Sequence, residues 1–352
     1  MGIWNSATYL ADLETFVKAA DLDALQGKKV LVTGATGLIC STIVDLLLYA
    51  NEKRGLDITI YAAARSEQRI LGRFPGKESS GLIPVTYDAT KPVSFSFGVD
   101  YIIHGASNAS PEKYVNEPVD TLLANFLGVN ELLNYGKACN LTKFVYISSS
   151  EVYGKLSQMD PLSEDVYGAV DFLSPRSSYP MGKRAAETLC ISYANQYGMD
   201  VSIARPGHIY GPTALASDQR VSSAFAYQAV AGKDLVMKSA GSQIRSYCHC
   251  LDCASAILTV LLKGQNKEAY NISNPHSIIT IRQMAQRIAD YAGVRLILEL
   301  PSDAECAAFN PMDNSSLSSV KLESLGWKGL LDADTGFRHT VAALKEMQKE
   351  HP

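Results

Sequence analysis

No stretch of this 352-residue chain holds the roughly 18 consecutive apolar residues that a membrane-spanning helix needs. No basic run stands out either. Lys and Arg number 32 against 36 Asp and Glu, a net charge of -4, which argues against nucleic acid as a partner. Near the N-terminus Asp12, Glu14, Asp21 and Asp23 stand where a signal peptide would be basic, so the expected location is the cytoplasm. Seven cysteines, an odd number, do not suit a disulfide framework and are expected to be reduced thiols. Repeats of roughly 20–50 residues and low-complexity tracts are missing as well. What is there, 47% hydrophobic and 19% charged, can bury a large core in one elaborated domain or two lobes.

The chain is organised around Gly27 to Cys40, where a short apolar strand (Val30-Leu31-Val32) runs into Thr33-Gly34-Ala35-Thr36-Gly37 and then into an apolar helix, Ile39 to Ala50. Glycines at 34 and 37 let the backbone bend and approach a pyrophosphate, and the amides opening the helix supply donors. Gly34, Thr36, Gly37, Leu38 and Ile39 are thus expected to cradle a dinucleotide, with a second strand, Ile58 to Ala64, one βαβ unit later. Strands and helices then alternate: Ile83 to Tyr87, Tyr101 to His104, a helix from Val119 to Cys139, Lys143 to Ile147, a helix from Ser177 to Tyr197, and Val201 to Ala204. Alternation of this kind predicts an α/β, Rossmann-type doubly wound parallel sheet. Three parts are expected: a helical extension over 1–26 that packs on the body or on a second subunit, a dinucleotide-binding domain over 27–205, and mainly a smaller substrate lobe over 206–352. The second strand ends Ala63-Ala64-Arg65-Ser66, with no ribose-binding carboxylate. Arg65 can pair with a 2′-phosphate or sit solvated at a helix start, so the cofactor is expected to be NAD with NADP open.

A second polar cluster follows the strand at Lys143 to Ile147, where Ser148-Ser149-Ser150-Glu151 sit at a strand's C-terminal end. Tyr179 and Lys183 open the helix beyond it at i and i+4, a spacing that puts the ammonium on the phenol's helix face and would favour its ionised form. The same spacing occurs at Tyr49/Lys53 and Tyr87/Lys91, but only Tyr179/Lys183 follows a hydroxyl-rich strand end. No metal site is expected. Cys248-His249-Cys250 and Cys253 look like a cluster, yet strand alternation would turn His249 away from both neighbouring cysteines.

From residue 27 onward the chain resembles the extended short-chain dehydrogenase/reductases of the nucleotide-sugar epimerase/dehydratase family, and is most similar there to UDP-glucuronate decarboxylases. The matching pieces are Ala106-Ser107-Asn108-Ala109-Ser110-Pro111 with Tyr114 and Pro118, Ser149-Ser150-Glu151-Val152-Tyr153-Gly154, Gly182-Lys183-Arg184, Arg220-Val221, Gln243-Ile244-Arg245-Ser246-Tyr247 and Tyr270-Asn271-Ile272-Ser273-Asn274-Pro275. The resemblance implies transient oxidation of a sugar C4, with Tyr179, Lys183 and Ser149 handling the hydroxyl proton and Glu151 exchanging a proton near C5. It also implies cofactor contacts from Asp88, Ala89, Ala106, Ser107, Asn125, Tyr179, Lys183 and Pro206, and substrate contacts from Ser150, His208, Arg220 and Arg245. On the residues alone, Glu151 could instead cap backbone amides, and either arginine could be a surface ion pair. A homodimer through the 119–139 and 177–197 helices is implied too. The chain departs from the pattern at Cys40, in place of a third glycine, and at His208, in place of an asparagine. The reactions left open are decarboxylation, 4-epimerisation, dehydration and NADPH-dependent reduction of a 4-ketosugar, against a binding protein that has lost its chemistry.

Overall fold

The structure, a computed structural model, describes residues 2–107, 114, 116–156, 160–299 and 313–349. Asn108, Ala109, Ser110 and Pro111 of the matching segment lie outside the described residues. Six strands are set down in the first part of the chain: β1 (Lys29–Thr33), β2 (Thr59–Ala64), β3 (Leu82–Thr86), β4 (Tyr101–His104), β5 (Lys143–Ile147) and β6 (Val201–Pro206). The helices among them are α1 (Ala7–Ala19), α2 (Leu38–Arg54), α3 (Glu67–Arg73), α4 (Pro118–Ala138) and α5 (Ser178–Tyr197). Further on come β7 (His208–Tyr210), β8 (Leu235–Met237), β9 (Ile244–His249), β10 (Ala269–Ile272), β11 (Ile278–Thr280) and β12 (Leu296–Leu298). They alternate with α6 (Val221–Val230), α7 (Cys250–Lys263), α8 (Ile281–Ala292), α9 (Val320–Glu323) and α10 (Ala333–Lys349).

One seven-stranded parallel sheet, ordered β3-β2-β1-β4-β5-β6-β10, carries the molecule. Successive β1 residues enter opposite layers, as a period of two requires. Val30 and Val32 pack with Ile43 and Leu47 of α2 and Ile257 of α7, while Leu31 packs with Leu132 and Leu133 of α4 and Cys190 of α5. The expected doubly wound sheet is present. Its last strand comes from beyond residue 206, however. β10 pairs with β6 and α7 covers the α2 face, so the smaller lobe is interleaved with the sheet rather than cut off at 205. That lobe holds β7, β9 and β11 in one sheet and β8 with β12 in another, closed around Tyr210, Leu235, Tyr247, Ile288 and Phe337.

The N-terminal extension packs on the body. Tyr9, Leu13, Phe16 and Val17 of α1 are buried, and Trp4 Nε1 and Tyr9 Oη donate to the fully buried Asp45 of α2 at 2.7 and 2.8 Å. Among the described residues, no helix is long and apolar enough to cross a membrane.

Candidate active site

β1 delivers the chain to Gly34 at φ +74°, and there only glycine fits: a Cβ would lie 2.9 Å from Ala106 N and 3.0 Å from the Gly105 carbonyl. Gly37 is different. It caps α2 in an ordinary extended conformation (φ -86°), so it is needed for closeness, not for an unusual torsion. Cys40 takes the place of the third glycine because the space has moved across to β4: a Cβ on Gly105 would collide with the Cys40 sulfur. Burial in this apolar layer pushes the Cys40 thiol up to about 12, which leaves it inert.

Above the turn opens a cavity of about 820 Å³, within the range of small-molecule sites at roughly 300–1,000 Å³. Gly34, Thr36, Gly37, Leu38, Ile39, Arg65, Asp88, Ala89, Ala106 and Ser107 all line it. Asn125, Tyr179, Lys183 and Pro206 do not. Asn125 is fully buried, donating to Thr121 O at 2.7 Å and accepting from Ser107 Oγ at 2.9 Å, so it reaches the cavity only through Ser107. Asp88 turns back on its own loop, accepting from Thr90 N at 3.0 Å and Thr90 Oγ1 at 2.8 Å, and these bonds hold its carboxyl below the usual range. Arg69 and Arg73 of α3 also line the cavity. They follow Arg65 at i+4 and i+8, a spacing legible in the sequence but not used above. Arg73 is neutralised by Asp45. Among the described residues, neither Arg65 nor Arg69 makes a short ion pair, though the Arg65 charge helps to hold the Asp88 carboxyl down.

The hydroxyl cluster assembles at the end of β5. Ser149 accepts from Glu151 N at 3.2 Å, and the hydroxyls of Ser149 and Tyr114 neighbour the Tyr179 phenol and favour its ionised form. Tyr179 lies in the first turn of α5, 6% exposed, with its ring stacked on Tyr114 at 4.3 Å between centroids and 11° between planes. Lys183 is 3% exposed and donates to Ile147 O at 2.8 Å, with Nζ 5.7 Å from the Tyr179 ring centre. The expected pull of Lys183 on the phenol is not the main influence. Burial raises the Tyr179 pKa; Ser149, Tyr114 and Arg220 oppose that, and Glu151 adds to it. Burial likewise brings Lys183 down to about 7, partly offset by Glu187 one helical turn on. Glu187 is gripped by Arg205 at 3.0 and 2.7 Å.

The smaller lobe brings His208, Arg220 and Arg245 together. Burial takes His208 down to about 3, helped by the charges of Arg245 and then Arg220, so its ring is neutral; its buried Nδ1 has no partner among the described residues. Arg245 of β9 is buried and donates to Ile244 O at 2.8 Å. Arg220 caps α6, lines the cavity and is braced by Asp218, its Nε 2.9 and 3.0 Å from the two carboxylate oxygens. Ser150 opens a short 3-10 helix, Ser150–Tyr153, beside Glu151. Glu151 does not cap a helix; its carboxylate pairs with Arg176 at 3.1 Å. Arg176 and the role of Tyr114 were not foreseen from the sequence.

The cysteine cluster needs a correction. β9 ends at His249, which caps α7 by accepting from Leu251 N at 3.3 Å, so Cys250 belongs to a helix and strand alternation separates His249 only from Cys248. Among the described residues, no group of three or more His, Cys, Asp or Glu could hold a metal ion.

The profile of the NAD dependent epimerase/dehydratase family matches residues 30–273. This chain belongs to that family. The epimerase/dehydratase frame thus takes in β1 through β10, leaving α1, α8, α9 and α10, with β11 and β12, outside it. UDP-glucuronic acid decarboxylase 6 of Arabidopsis thaliana is 32% identical over 304 residues, 85% of this chain and 84% of that one. UDP-glucuronic acid decarboxylase 1 of Xenopus tropicalis is 30% identical over 318 residues, 89% of this chain and 71% of that one. Among solved structures, an epimerase from Methanothermobacter thermautotrophicus superposes with a TM-score of 0.79 at 21% identity, over 94% of this chain and 95% of that one, which speaks to the fold alone.

Proposed function

We propose that this protein is a nucleotide-sugar enzyme that works by transient oxidation at C4, with decarboxylation of a UDP-glucuronate-type substrate as its net reaction. The observation that carries the reading is the meeting of Ser149, Tyr179 and Arg220 next to the glycine-floored cavity. The residues present fit a nicotinamide dinucleotide. Gly34 leaves no room for a side chain where the β1 turn meets Ala106, and the first amides of α2 are free of intrahelical partners. Gly34, Thr36, Gly37, Leu38 and Ile39 would hold its phosphates, and Ser107, fixed by Asn125, would lie beside the ring. When bound, the nicotinamide supplies an acceptor for the C4 hydride and later returns it.

Tyr179 takes the proton of the sugar hydroxyl, and the Ser149 hydroxyl supports the phenolate. Arg220 and Arg245 offer guanidinium forks to pyrophosphate or carboxylate, while the neutral His208 ring can donate to or accept from a hydroxyl. Loss of CO2 from a 4-keto acid leaves an electron pair at C5 that takes a proton, the exchange we assign to Glu151. The two decarboxylase relatives support that net reaction. Tyr179→Phe should abolish turnover and keep nucleotide binding; full activity in that variant would remove the reading.

One observation favours a second reading. Arg65 and Arg69 flank the end of β2 where a carboxylate would select an unphosphorylated ribose, which suits NADP and a 4-ketosugar reductase. Carbon dioxide release without net cofactor change supports the first reading, and stoichiometric NADPH consumption the second. We further propose a homodimer. Val119, Leu122, Leu123, Phe126 and Leu127 form an exposed apolar stripe on α4 at helical spacing, beside α5, and a two-fold axis would bury it.

A further inference from the structure

We infer that Tyr114 is a positioning residue of the proton-handling centre, a second phenol that stacks on Tyr179 and donates a hydrogen bond to its oxygen once that oxygen becomes anionic. The inference rests on the C4-oxidation reading above. Three observations place Tyr114 there. The rings lie nearly parallel, 4.3 Å apart and 11° from coplanar, which fixes the orientation of Tyr179 from one side. Tyr114 is 5% exposed, and its backbone carbonyl accepts from Ser178 Oγ at 3.3 Å, which ties it to the first turn of α5. Its hydroxyl and that of Ser149 neighbour the Tyr179 phenol and favour its ionised form.

Two phenols in contact share one proton unevenly. Burial and the neighbouring charge of an ionised Tyr179 push the Tyr114 pKa far up, so Tyr114 keeps its proton while Tyr179 gives its own away. The other groups facing Tyr179 are accounted for. Glu151 of the 3-10 helix opposes ionisation, and that carboxylate is paired with Arg176; Arg220 at the start of α6 assists. Lys183 stands one helical turn away with its ammonium on Ile147 O, and Tyr146 of β5 packs under it. Tyr114 and Ser149 are then the donors that replace water around the phenolate in a buried site, where each such bond counts for more than in solvent.

Tyr114→Phe keeps the stack and deletes the donor. The pH profile of kcat reads the result. We expect kcat to fall about ten- to a hundred-fold near neutral pH with KM unchanged, and the acid limb to move up by about one to two pH units. Tyr114→His, which retains a ring and a donor nitrogen, should recover part of both effects and serves if the Phe variant fails to fold. A limb that stays in place in both variants, or a rise in KM alone, overturns the inference. Tyr179→Phe is run in parallel: if it is inactive while Tyr114→Phe matches wild type, only the Tyr114 assignment falls, and if it is active, the C4-oxidation reading falls as well.

Discussion

Lys183→Met should stabilise the folded protein at about pH 6 and destabilise it at high pH. The unfolded chain holds this proton up to about 10.5, whereas burial lets the folded chain hold it only up to about 7. Below 7 the cost of burying the charge is therefore fully present, and it is relieved as pH climbs toward 10.5. A fall from 10.5 to about 7, with the favourable charge of Glu187 already included, corresponds to about 5 kcal/mol, a ceiling because water reaching the site softens it. Methionine removes that cost and also removes the 2.8 Å bond to Ile147 O, worth about 1–3 kcal/mol once the carbonyl is left unpaired. The balance is a gain of a few kcal/mol at pH 6 that changes sign between about pH 8 and 10. Urea midpoints of the full chain across that range, followed by tryptophan fluorescence, provide the measurement. Parallel pH profiles for wild type and variant would refute the argument, since the lysine would then be as well hydrated as in the unfolded chain.

Three other outcomes are expected. Glu187→Ala strips Arg205 of its bidentate partner in a buried site and should cost about 3–5 kcal/mol by denaturant titration, with the acid edge of Lys183 ionisation moving lower. Gly105→Ala should cost about 1–3 kcal/mol through overlap with the Cys40 sulfur, and Cys40→Ala in the same chain should restore most of it, a coupling that a double-mutant cycle reads directly. Replacing Arg65 and Arg69 by Ser should weaken NADP binding about tenfold or more in calorimetry and leave NAD binding nearly unchanged if these side chains face a 2′-phosphate.

The sheet was readable because its signals are local. Val30-Leu31-Val32 before Gly34, and Tyr101 to His104, are short apolar runs bounded by turn residues, and each became a strand. Turn chemistry was readable to the same depth: Gly34 and Gly37 mark the cradle, though only the backbone torsions show that Gly34 is left-handed and Gly37 extended. What stayed hidden depends on partners far apart in the chain. Cys40 looked like a defect in the glycine pattern until Gly105, at the end of β4 and three strands further along the chain, supplied the missing space. Glu151 carried no sign of Arg176, and Tyr114 gave no hint of stacking on Tyr179, since each pair is joined by loops whose path no periodicity records. The end of β9 was misjudged for a local reason: His249 can continue a strand or cap a helix, and Leu251 N settles it for the cap. The lobe boundary blurred because β10, an ordinary apolar strand in sequence, finds its place beside β6.

The central claim, that a hydride leaves C4 and comes back to the same sugar, is tested most directly with UDP-glucuronate deuterated at C4. The account predicts carbon dioxide release and a pentose product that retains deuterium at C4, with no net change in nicotinamide absorbance. Loss of that deuterium to solvent or to free cofactor, or carbon dioxide released by the Tyr179→Phe variant at the wild-type rate, would contradict it.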